Sequence, residues 1–153
     1  MVRVLLADDH AAVRRALRRL LGSEPGIEVC GEAQDGEAVV LLAAATRPDV
    51  VVLDFAMPRL DGIAAARRIR AAIPHVKAVI VTAYPVRTVL AAASAAGVDA
   101  VLDKADVAEQ LIPVVLGLRH RMGAGPTLGG PKQDHGRKQE IHLGLPLRGQ
   151  ARP

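Results

Sequence analysis

Three aspartates, one threonine and one lysine stand where short apolar runs of this 153-residue chain end. Asp8 and Asp9 follow residues 2–7, Asp54 follows 50–53, Thr82 follows 78–81, and Lys104 comes just after 100–102. If the runs are strands of one sheet, the chemistry gathers at one edge. Converging carboxylates repel one another and raise one another's pKa, whereas a hard divalent cation with oxygen ligands keeps them ionised. Mg²⁺ is the expected ion, with Mn²⁺ as the alternative. Mg²⁺ retains open positions for phosphoryl oxygens, and an Asp carboxylate can act as nucleophile once its developing charge is balanced. Asp54 is the central candidate, with Thr82 and Lys104 suited to the other oxygens of the incoming group.

The elements that would hold these residues alternate. Strand-like segments at 2–7, 27–31, 50–53, 78–81 and 100–102 are separated by helical periods at 10–21, 36–45, 62–72, 86–96 and 107–118. In the first helix Val13, Leu17, Leu20 and Leu21 share one face and Arg14, Arg15, Arg18 and Arg19 the other, with Gly22 as a stop. Val-rich strands alternating strictly with helices predict an α/β fold: a five-stranded parallel sheet with helices on both faces. In such sheets ligands bind beyond the carboxyl ends of the strands, where the chain order reverses. Pro113 predicts a kink or tightened turn in the last helix.

Composition narrows the function. One Phe, one Tyr and no Trp exclude the aromatic platforms of many single-strand binders. A single cysteine, Cys30, allows no internal disulfide and reads as a small buried hydrophobe in its strand. No signal-peptide pattern or apolar run long enough for a bilayer is present, which points to a cytoplasmic protein without a membrane partner. The net charge of +4 is unevenly placed: through Gly117 there are 13 basic residues against 14 acidic, and from Leu118 onward 7 against 2. Residues 1–118 therefore read as one domain and 119–153 as a basic, Gly/Pro-rich, disordered tail. Its basicity permits salt-dependent contact with nucleic acid, but no helical pattern for reading bases is visible, so specific DNA binding is not expected.

Singly, each site residue has an ordinary explanation: helix-capping acids, a strand threonine, a solvated lysine. Their joint placement at strand ends outweighs those explanations. His10 and His75 read as surface residues without a catalytic role.

Taken together, Asp8-Asp9, the stretch Leu53-Asp54-Phe55-Ala56-Met57-Pro58-Arg59-Leu60-Asp61-Gly62, Thr82-Ala83 and Asp103-Lys104 resemble the receiver domains of two-component response regulators, most nearly those of NarL/FixJ-like regulators. The resemblance covers about residues 2–118. It implies a flavodoxin-like, doubly wound sheet of order 2-1-3-4-5 and a signalling switch, not an enzyme, phosphorylated by a sensor histidine kinase. It makes Asp54 the phosphoacceptor, Asp9 a direct metal ligand, Asp8 a largely water-mediated one and the Ala56 carbonyl another ligand. Thr82 would bond the phosphoryl group and Lys104 neutralise it. Output would run through the fourth helix, fifth strand and fifth helix, to a homodimer or a protein effector. Val101 stands where the family carries a switching aromatic ring, so a conventional ring flip is not expected. Ala56 and Tyr84, at positions that influence phosphoryl lifetime in the family, predict slow hydrolysis. Two rival readings are a DNA-binding regulator that has lost its output domain, and an aspartate-nucleophile phosphatase. The second would need a further acid where this chain has Ala56.

Overall fold

The computed structural model describes residues 1–123 and 142–143. The element order is β1 (Val2–Ala7), α1 (Ala11–Gly22), β2 (Ile27–Ala33), α2 (Gly36–Thr46), β3 (Val50–Asp54), α3 (Gly62–Ala72), β4 (Lys77–Thr82), α4 (Val86–Ala95), β5 (Ala100–Asp103), a 3-10 turn (Lys104–Asp106), α5 (Val107–Gly123) and β6 (His142–Leu143). The sheet order is β2-β1-β3-β4-β5-β6, and every pairing is parallel. The first five strands form the doubly wound arrangement expected from the sequence.

Strand periodicity explains why both faces need covering. Along β1, Val2, Val4 and Leu6 join Leu17 and Leu21 of α1 and Leu111, Val115 and Leu118 of α5. Leu5 and Ala7 point the other way, into a core with Val39 of α2, Ile63 and Ile69 of α3, and Val89 and Ala93 of α4. β3 splits in the same manner, with Val50 and Val52 on the first side and Val51 and Leu53 on the second. All five residues of β3 are buried, as suits a central parallel strand. The chain runs from β1 outward to β2 and then back across to β3, so the order reverses between β1 and β3, directly beneath Asp8 and Asp54.

Four features differ from the sequence expectation. Helix α5 continues to Gly123, five residues past the expected end at 118. Gly117 is exposed and does not break it, and Arg119, His120 and Arg121 suit the negative end of the helix dipole. Pro113 is also exposed, and α5 runs through it without interruption. The donor it lacks faces the Glu109 carbonyl, within reach of solvent. Finally, His142–Leu143 pair with Ala100 and Val101, adding a two-residue sixth strand where the outer edge of β5 would otherwise present unpaired backbone groups. The expectation of disorder at 124–141 and 144–153 lies outside the described residues. Cys30, expected to be buried, is half-buried at a register shift between β1 and β2, where it packs against the core edge.

Candidate functional site

Asp8 is the first residue past β1, and its side chain is buried. Its Oδ1 accepts the His10 N–H at 2.8 Å, a local turn that aims the chain into α1. Its own N–H donates to the Ala33 carbonyl of β2, and its carbonyl accepts Arg14 Nη1 at 2.7 Å. Arg14 and Arg18 both pair with Glu32, tying α1 to β2. Asp9 is half-buried beside Asp8.

Asp54 ends β3 and is only 4% exposed. The backbone behind it is tightly set: Phe55 N–H donates to the Val81 carbonyl at 2.9 Å, and Gly62 N–H donates to the Phe55 carbonyl at 2.8 Å. A Cβ at Gly62 would lie 2.3 Å from the Asp54 carbonyl oxygen, so only glycine permits this approach. The loop between Asp54 and α3 carries Ala56, which is exposed, and Arg59, whose φ of 70° lies in the left-handed region.

Lys104 arrives from the far side of the sheet. Asp103 Oδ1 accepts the Ala105 N–H at 2.8 Å, shaping the 3-10 turn, and Lys104 Nζ lies 3.2 Å from Asp54 Oδ1 and 3.3 Å from Asp8 Oδ2. Thr82 ends β4 and is fully buried, in register with Asp103, while its neighbour Val81 is in register with Asp54. Thr82 Oγ1 accepts the Tyr84 N–H at 2.9 Å.

The structure therefore brings Asp8, Asp9, Asp54 and Lys104 into one cluster, with Thr82 at the same edge but bonded to Tyr84. Ligand atoms of Asp8, Asp9, His10 and Asp54 all lie within 4.8 Å of one another. Two residues read from the sequence as outward-facing, His10 and Arg14, also touch the acidic pair. His10 is exposed, as expected, and its Nδ1 sits 3.2 Å from Asp9 Oδ1. Arg14 follows by one helical turn and braces the Asp8 backbone, which the spacing alone does not reveal.

Charge in the cluster is unbalanced. Three carboxylates face one ammonium, and burial first and the Asp8 charge second push the Asp54 pKa above the ordinary carboxylate value, although Lys104 pulls it back. Burial alone would lower the Lys104 pKa, but the charges of Asp54 and Asp8 outweigh it and hold the ammonium above its usual value. Asp8 Oδ2 and Asp9 Oδ1 are buried and each has an ion-pair contact in place of a well-formed hydrogen bond, with Lys104 Nζ at 3.3 Å from the first and His10 Nδ1 at 3.2 Å from the second. Buried carboxylate oxygens that no well-formed hydrogen bond satisfies, crowded on one side by like charge, fit a hard divalent cation better than they fit a purely structural role.

The model of the response regulator receiver domain family matches residues 4–115. The uncharacterized transcriptional regulatory protein YxjL of Bacillus subtilis (strain 168) is 38% identical over 114 residues, which span 74% of this chain and 52% of that protein. A protein-glutamate methylesterase/protein-glutamine glutaminase of Geobacter metallireducens is 52% identical over 69 residues, 45% of this chain and 20% of that one. This chain thus spans about half the length of the first relative and a fifth of the second. Among solved structures, a two-component response regulator of the LuxR family from Aurantimonas sp. SI85-9A1 superposes with a TM-score of 0.70 at 31% identity, covering 76% of this chain and 86% of that one.

Proposed function

This chain belongs to the response regulator receiver family, and on that premise we propose that it is a switch turned by phosphorylation of Asp54. The observation that carries the proposal is the position of Lys104 Nζ, within 3.3 Å of both Asp54 and Asp8, as the one ammonium facing three clustered carboxylates.

In the proposed step an Asp54 carboxylate oxygen attacks the phosphorus of a phosphohistidine on a sensor histidine kinase. The new P–O bond forms as the P–N bond breaks, and the departing imidazole nitrogen keeps the electron pair. Lys104 holds its proton throughout, because its pKa is raised, and offers positive charge to the phosphoryl oxygens. Thr82 turns its hydroxyl proton to another of those oxygens. Asp9, Asp8, Asp54 and the Ala56 carbonyl would hold Mg²⁺ or Mn²⁺, which when bound supplies the positive charge that the single ammonium does not.

The group is transferred to the chain itself, so the reading is of a signalling domain and not of an enzyme acting on other substrates. Ala56 supports that choice, since it offers no second acid to hydrolyse the acyl phosphate. We place the protein in the cytoplasm with its kinase; among the described residues no helix is long and apolar enough to cross a membrane. The output surface is assigned to α4, β5 and α5, facing a second copy or a protein effector. We take the receiver domain, expected at 1–118, to include the whole of α5, which runs to Gly123.

The test is intact mass after incubation with acetyl phosphate and Mg²⁺. The chain should gain one phosphoryl group and Asp54→Asn none; equal gain in both would refute Asp54 as acceptor.

A further inference from the structure

Phe55 and Tyr84 are the only aromatic residues in the chain, and they touch. Their rings meet edge to face, with centroids 5.6 Å apart and planes at 89°. One ring directly follows Asp54. The other stands two residues past Thr82, whose hydroxyl accepts its backbone N–H. The pair therefore bridges the loop after the acceptor and the loop after the residue assigned to sense the phosphoryl group.

The two partners are held differently. Phe55 is fixed at both backbone groups, by the Val81 carbonyl and the Gly62 N–H, and its ring packs against the core. Tyr84 is 53% exposed, and Pro85 follows it as the entry to α4, with Thr88 N–H donating to the Pro85 carbonyl. A displacement of Tyr84 thus reaches α4 through one rigid residue. The chain has no other Phe, Tyr or Trp to move, and Val101, fully buried in β5, packs in the same core as Val89 and Ala93 of α4.

We propose that Tyr84 is the moving element of this switch, held in the resting position by Phe55 and released when Thr82 turns to a phosphoryl group on Asp54. Among the described residues the Thr82 hydroxyl bonds only to Tyr84, accepting its N–H at 2.9 Å and lying 3.5 Å from its carbonyl. A phosphoryl oxygen is a stronger acceptor than that carbonyl. Once the hydroxyl proton turns to it, the Tyr84 peptide either follows Thr82 or loses its partner, and in both cases the ring leaves Phe55. The inference rests on Asp54 being the acceptor. By linkage, a contact made only in the resting state opposes the active one, so removing it tightens binding of a phosphoryl mimic.

Tyr84 is its own reporter, because no other tyrosine and no tryptophan is present. The full chain is titrated with beryllofluoride in Mg²⁺, with occupancy counted by fluorine NMR and the ring followed by tyrosine fluorescence and near-ultraviolet circular dichroism. The ring signal should change in proportion to occupancy and stay flat in Thr82→Ala at equal occupancy. Half-saturation should fall about two- to tenfold in Tyr84→Ala and Phe55→Leu, as loss of an edge-to-face contact implies, and stay unchanged in Tyr84→Phe. Full occupancy with no change at Tyr84 in the wild type overturns this inference and leaves the acceptor intact; that measurement needs no variant to fold. No occupancy at all overturns the acceptor reading instead.

Discussion

The two loops that flank the site are built to opposite standards. On the Asp54 side the backbone is pinned by the Val81 carbonyl and the Gly62 N–H, a missing Cβ at Gly62 lets α3 close on the strand, and Asp61 caps that helix by accepting the Ala64 N–H at 2.8 Å. On the Thr82 side, Ala83, Tyr84 and Pro85 are all exposed, and α4 begins without a side-chain cap. The first loop holds a nucleophile 3.2 Å from an ammonium on a backbone fixed at both ends; the second is held by a hydroxyl and a ring. Precise chemistry and a yielding readout need different backbones, and here they occupy neighbouring strands. Local opening should accordingly be easier at α4 than at α3.

The harshest way to break this contrast is to disturb the rigid loop. Gly62→Ala should cost about 3 kcal/mol or more in denaturant unfolding, because its Cβ would meet backbone at Asp54 and no flexible side chain can yield. A cost under about 1 kcal/mol would show that the loop is as compliant as its neighbour. Next in size is the charge opposite Asp54. Lys104→Met should slow phosphoryl gain from acetyl phosphate by about 10²- to 10³-fold, measured as initial rate by mass, while the fold persists.

Metal dependence sharpens the same point on the acidic side. Mg²⁺ at about a hundredfold excess over its Kd should stabilise the wild type by about 2.7 kcal/mol, read as a rise in Tm. In Asp9→Asn that gain should vanish, and the metal-free variant should be at least as stable as the wild type, since one repulsive charge is gone.

The smallest effect is the pH dependence of the metal-free protein. Asp54 has a pKa raised above 3.8 in the fold, so the folded state binds more protons than the unfolded one between that value and the raised one. Stability should fall as pH rises through that window, and Asp54→Asn should remove the slope. Lys104 adds the opposite edge: its contribution is complete below 10.5 and is lost as pH rises through its raised folded value. A wild-type stability that climbs with pH through the Asp54 window would contradict the crowding of carboxylates described above.

Much of this was legible in the residues themselves. A charge at the end of a buried apolar run has few places to go, which is why Asp8, Asp54 and Lys104 announced the edge of the sheet on which they meet. Strand order was not readable that way, because nothing in an apolar run names its neighbour, and it came with the family resemblance. The end of α5 was misjudged because a solvent-exposed glycine such as Gly117 is tolerated in a helix anchored by Leu111, Val115 and Leu118. His142–Leu143 are too short to show a period. The contact between Phe55 and Tyr84 was invisible for another reason: it depends on β3 and β4 lying side by side, a tertiary fact that no local pattern encodes.

A switch at Asp54 requires the phosphoryl group to sit on that residue and on no other. An acyl phosphate on aspartate is reduced by borohydride to homoserine, so peptide mapping after treatment with acetyl phosphate and Mg²⁺ reads the acceptor directly. The expected result is homoserine at position 54 alone, abolished by chelating the metal. Homoserine at position 8 or 9, or none at all in a chain that has gained a phosphoryl group, would contradict it.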